Sequence, residues 1–198
     1  MNARSGMLRL FVAAYPPVER AEALARFAAG SGVLGPGDRP VRPEQVHLTL
    51  VFLGSVRGRD VRNVGESIAR SVSGVEAFML KPERLVLLPQ RGHPRVLAVE
   101  TDAPAGLLEV QRRLATRLAR PKGDRAPERF LPHLTLARFD QQAARPDLRS
   151  EALPVLDAAT AEAFEVREVR LMSSVLSAVG GGGGGGARHE CVMAVPLG

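Results

Sequence analysis

His47-Leu48-Thr49-Leu50 returns, letter for letter, as His133-Leu134-Thr135-Leu136. The chain has only four histidines, and these two words take half of them. Chance seldom repeats a word built on so rare a residue. Side chains alternate along an extended strand. In each copy that alternation puts His and Thr on one face and the two leucines on the other, with Val51 predicted to join His47 and Thr49. The leucines then form a core face, while imidazole and hydroxyl look out together. Imidazole is the side chain best suited to give and take protons near neutral pH, and a pair of them offers an acid and a base to one reacting centre. Threonine hydroxyls add short donors for anionic oxygens. Two His and two Thr around one cleft make a phosphate site that demands no metal, since the flanks hold no carboxylates or cysteines at ligand spacing.

The 198 residues suit one domain or one compact two-lobed domain with a sizeable core. A hydrophobic share of 45% excludes a disordered chain. The net charge is +6, which suits a polyanionic partner such as nucleic acid. Lysine occurs only at Lys81 and Lys122, however, and the Arg, Ala, Gly, Pro and Val surplus is that of a GC-rich genome. Cys191 is the only cysteine, which excludes an intramolecular disulfide and a Cys-rich zinc site and fits a reducing, cytoplasmic setting. Met7 to Ala14 is too short for a signal peptide and is interrupted by Arg9. No apolar run is long enough to span a bilayer, so no membrane partner is expected.

Working outward from the motifs, 46–53 and 134–139 are predicted strands, the first closed by Gly54. Residues 8–14 form a further apolar strand, and 18–29 a helix rich in Ala, Leu, Glu and Arg. Asp60 is placed to cap a helix carrying Val61, Val64, Ile68 and Val72. Residues 78–88, interrupted by Pro82, and 95–101 read as extended. Residues 104–120 form an amphipathic helix with Leu107, Val110, Leu114 and Leu118 on one stripe and Arg112, Arg113 and Arg117 on the wet side. Residues 164–176 and a short strand 191–195 close the chain, with Cys191 as a buried small residue. The glycine run 180–186 is read as a flexible hairpin loop, because ordering glycine has the largest backbone entropy cost. No Gly-Lys-Ser/Thr follows it, which rejects a P-loop. The repeat suggests a duplicated lobe, each offering one His strand to a shared cleft.

These residues resemble the 2H phosphoesterase superfamily, and within it the RNA 2′,3′-cyclic phosphodiesterases, also named 2′-5′ RNA ligases. The resemblance rests on Arg9-Leu10-Phe11, on Val41-Arg42-Pro43-Glu44, on the first motif with Phe52-Leu53-Gly54, on Pro132 through Arg138, and on the closing stretch from Val169 to Leu197. It implies an α+β fold over residues 1–198, bilobal and pseudo-twofold, with two antiparallel sheets lining a central cleft and helices outside. It implies hydrolysis of a terminal RNA 2′,3′-cyclic phosphate to a 2′-phosphate, with no cofactor and no metal. His47 and His133 then fall on the family's catalytic histidines, with His133 as base and His47 as acid. Thr49, Thr135 and Arg138 fall on its phosphate contacts, although plain alternation sets Arg138 on the face opposite His133. The implied partners are RNA ends or small cyclic nucleotides, met by a monomer.

The chain departs from the family at Val12, where relatives often carry a second aromatic, and at His189, which takes a Tyr-like place. Phe11 is read as core, His93 as an exposed loop residue, and His189 as a plain strand position. Alternative readings are a relative acting on other cyclic phosphates or on 2′-5′ linkages, including reversible ligation, and a non-catalytic RNA-binding module.

Overall fold

The computed structural model describes residues 6–118, 130–142, 148, 152–176 and 187–198. In chain order the elements are β1 (Met7–Ala14), α1 (Val18–Gly30), β2 (Arg39–Pro40), β3 (Leu48–Arg57), α2 (Val61–Val72), β4 (Phe78–Leu80), β5 (Pro82–Leu88), β6 (Val96–Thr101), α3 (Ala105–Leu118), β7 (His133–Arg138), β8 (Phe164–Val166), β9 (Glu168–Leu176) and β10 (Ala187–Pro196). Short 3₁₀ turns precede β3 and α2. The glycine run 180–186 lies outside the described residues.

The fold is α+β. The large sheet has the order β10-β9-β1-β3-β7-β6-β5, with β2 also on β7, and a second sheet pairs β4 with β8. Every pairing is antiparallel. The duplication is visible in the topology. β1 leads through α1 into its antiparallel partner β3, and β6 leads through α3 into its partner β7. The two halves of the large sheet join at one register pair, Leu48 with Leu134. The rest of that edge of β7 is taken by Arg39 and Pro40, and the Val41 N–H donates to the Leu136 carbonyl at 2.8 Å.

One hydrophobic cluster spans both halves. Leu10, Val12, Leu48, Leu134, Leu136 and Leu171 of the sheet meet Leu24 of α1, Ile68 of α2 and Leu114 of α3. Each helix thus turns its apolar stripe to the same side of the sheet. α3 packs on β3 and α1 on β7, so each half's helix covers the other half's motif strand. The motif leucines are fully buried, at 0–1% exposure for Leu48, Leu134 and Leu136. Burying a leucine side chain contributes about 1.5–3 kcal/mol, so the repeated word holds the fold as well as the site.

Three local readings need correction. Gly54 does not close its strand. It takes a φ of +67° inside β3, where the register against β1 shifts, and the strand runs on to Arg57. Glycine alone tolerates that bulge conformation without strain. Asp60 stands at the N-cap of α2 but makes no capping hydrogen bond, and its carboxylate lies 3.9 Å from the Arg59 guanidinium. Cys191 is exposed, because β10 begins at Ala187 and forms the sheet's edge.

Candidate active site

The face of the large sheet turned away from the helices carries the motif side chains. Leu48 pairs with Leu134 in an antiparallel register, which sets His47 across from Thr135 and Thr49 across from His133. The two histidines are then diagonal neighbours, which on an antiparallel pair means about 7 Å between Cβ atoms. His47, Thr49, His133 and Thr135 are all half-buried, while the leucines between them face the core. The register therefore brings together four residues from opposite halves of the chain.

Each imidazole is tied down in the same way. The His47 Nδ1–H donates to the Gln45 carbonyl at 2.6 Å, and the His133 Nδ1–H to the Leu131 carbonyl at 2.8 Å. A carbonyl only accepts, so Nδ1 holds the hydrogen in both rings, and Nε2 carries the lone pair of the neutral form. Both reactive nitrogens are thereby fixed by backbone two residues upstream.

The repeat continues past the tetrapeptide. In β3, Leu50 and Val51 both enter the main core, and the register against β1 skips Leu50. In β7, Leu136 and Ala137 both enter the core, and the register against β6 skips Leu136. A bulge inserts one residue and reverses the alternation beyond it. Val51 is thus in the core, contrary to the alternation drawn from sequence, and Phe52 replaces it on the site face. The matching bulge turns Arg138 to the side of His133 and Thr135. Its charge acts on both His47 and His189. Phe52 and Arg138 occupy equivalent places in the two halves. Phe52 is 67% exposed.

The surroundings of the two histidines differ. Tyr15 stacks on His47 with ring centroids 5.3 Å apart, and Phe11 lies 5.1 Å away on another side. Phe11 is buried, but in a small cluster with Ala13 and Met172 under the site rather than in the main core. Burial pushes the His47 imidazole down to about 4; the Gln45 carbonyl opposes this, whereas His189, Arg138 and His133 add to it. Burial likewise pushes the Tyr15 phenol up to about 12, against the pull of the Arg170 guanidinium over its ring. The place across from His133 is taken by Glu100, whose carboxylate is ion-paired with Arg84 at 2.6 Å. One imidazole thus sits among rings and the other beside a carboxylate.

Sequence reading missed Phe11, Tyr15, Phe52 and Glu100 as members of this face, and it set His189 in a Tyr-like place without giving it a role. The β1 alternation was a usable signal for Phe11; the bulge left none for Phe52. His93 is exposed. Among the described residues no group of three or more His, Cys, Asp or Glu is placed to hold a metal ion. No described helix is long and apolar enough to cross a membrane.

Fold and site together define a class: α+β proteins that bring two His-x-Thr strands to one face of an antiparallel sheet. The chain belongs to the 2′-5′ RNA ligase superfamily, whose family model matches residues 15–177. It is similar to an RNA 2′,3′-cyclic phosphodiesterase of Aeropyrum pernix, 31% identical, over 79% of this chain and 88% of that relative. A second relative of that name, from Methanothermobacter thermautotrophicus, is 27% identical over 71% of this chain and 75% of its own. A crystal structure from Thermus thermophilus aligns at a TM-score of 0.73 and 26% identity, covering 96% of this chain and 98% of that one.

Proposed function

We propose that this chain is an RNA 2′,3′-cyclic phosphodiesterase that opens the ring to a 2′-phosphate by paired acid–base catalysis without a metal. The observation that carries the proposal is the pair of carbonyl-anchored imidazoles, His47 and His133, diagonal across the Leu48–Leu134 pair. The names of the relatives support the same substrate. His133 Nε2 takes a proton from water as the water oxygen bonds to phosphorus. The P–O3′ bond breaks, its electron pair stays on O3′, and His47 delivers a proton there. The 2′ ester bond remains.

The surroundings support that division of roles. The positive charge His133 gains forms across from Glu100. A histidine whose proton is held weakly, as at His47, is the stronger acid once protonated. The phosphate anion seated between the two rings favours that protonation. Thr49 and Thr135 donate to the non-bridging oxygens, and Arg138 holds them by its planar fork. Phe52 presents an aromatic face on which a base can stack, which favours an RNA end over a bare cyclic phosphate. Ligation is the minor direction, because water outcompetes a 5′-hydroxyl unless a second RNA end is held in place.

Incubation of the protein with RNA ending in a 2′,3′-cyclic phosphate, in excess chelator, tests this reading. The expected product is the 2′-phosphate at an undiminished rate. A 3′-phosphate product overturns the leaving-group assignment, and a requirement for added divalent metal overturns the mechanism.

A further inference from the structure

β10 carries an imidazole that the reaction above does not use. His189 pairs in register with Ser174 of β9, on the face that also carries Phe11. Its ring lies edge-on to His47, with centroids 5.0 Å apart at 79°, and edge-on to Phe11 at 4.9 Å and 72°. Phe11, His47 and His189 therefore form a closed triangle of rings. The His189 Nδ1 is buried with no hydrogen-bond partner among the described residues. An unpaired buried nitrogen is costly, and such groups in a folded protein call for a reason beyond packing.

We infer that His189 is a third working imidazole of this site, a positioning residue that fixes the His47 ring and controls when that ring holds its proton. The inference rests on the acid role given to His47 above. The contact is edge to ring, so His189 blocks rotation of His47 away from its Gln45 carbonyl bond. It also stands beside His47 as a second group that can carry positive charge, and it opposes a proton there. Arg138 from β7 opposes protons on both rings. The other charged or titratable groups facing this cluster are His133 from β7, Tyr15 beyond β1, and Arg170 of β9 above Tyr15. Cys191 of β10 acts on Tyr15, and Arg9 of β1 shares the register row of Ser174 and His189. Two carboxylates border the cluster as well, Glu168 paired with Arg170 at 2.6 Å and Glu100 across from His133. In the empty site burial first, and then His189, Arg138 and His133, hold the proton off His47, and the negative charge that reverses this arrives with the phosphate. His189 thus adds to what the phosphate charge must overcome before His47 takes up its proton.

Ring-proton NMR titration of His47 in wild type, H189F and H189Q tests this without relying on turnover. H189F keeps a ring against Phe11 but removes the charge; H189Q keeps a polar side chain if the first fails to fold. The His47 midpoint is expected to rise by about half a unit in both, a roughly threefold change in proton affinity. The acid-side limb of kcat/KM against pH is expected to move up with it, and kcat to fall about tenfold with a smaller change in KM. A merely packed His189 leaves midpoint and limb where they are in H189F, which keeps a ring of similar bulk against His47, and that result, or a fall in the midpoint, overturns the inference. Absence of turnover in the wild type with the midpoint shift intact instead faults the phosphodiesterase reading alone.

Discussion

Replacing His47 by Ala, or His133 by Ala, is expected to lower kcat on an RNA 2′,3′-cyclic phosphate by about 10²–10⁴-fold, the usual range for losing a general acid or base. KM is expected to stay within about tenfold, because Thr49, Thr135 and Arg138 still offer their donors to the phosphate. The folds should survive, since both rings are half-buried on the site face and the core leucines beside them are untouched. The double variant is expected to be little worse than the poorer single one, because a pair acting as a unit is lost with its first member. Steady-state kinetics with circular dichroism of each variant checks this. Wild-type turnover in either single variant removes the pair from the chemistry. A non-catalytic RNA-binding module would show no wild-type turnover to lose.

The second large effect separates the acid from the base. A cyclic substrate with sulfur in place of the bridging 3′ oxygen releases a thiolate, which leaves without a proton. On that substrate H47A is expected to recover to within about tenfold of wild type, while H133A stays down by about 10²-fold or more. The asymmetry follows from the walls around the two rings, Tyr15 and Phe11 at His47 and Glu100 opposite His133. The depressed proton affinity of His47 in the empty site favours one specific competitor, in which neutral His47 is the base. Recovery of H133A instead of H47A establishes that exchange of roles. Recovery of neither variant contradicts any division into acid and base.

The core of the fold was readable because burial imposes periodicity on sequence. β1 and the three helices stand within a residue or two of their expected bounds, since each has one apolar stripe matching its own repeat. The two motifs were readable as strands for the same reason. The bulges were not. A skipped residue in β3 or β7 is decided by the partner strand's register, which a single chain segment does not encode. Plain alternation therefore sent Val51 to the site and Arg138 away from it, and the fold reverses both. Resemblance to a family carried Arg138 where periodicity opposed it. Cys191 was misread because β10 is an edge strand whose outer rows lack a buried partner, so its pattern is weak, while His189, read as a strand position, does lie in that strand. Glu100 read as one more strand residue; only the register shows it facing His133.

That the two imidazoles work as a pair on one phosphate is tested most directly by kcat/KM against pH for the wild type, in chelator, on a short RNA with a 2′,3′-cyclic phosphate end. A pair with opposite protonation requires a bell. Activity falls on the acid side when both rings hold protons and no base remains. Burial of His47 puts that limb near 4, far below an ordinary histidine. Activity falls on the alkaline side when both rings have lost their protons and no acid remains. In kcat the acid limb is expected higher than in kcat/KM, because the bound phosphate anion favours a charged His47. A rate that climbs steadily with pH, or one indifferent to it across this range, contradicts the paired mechanism.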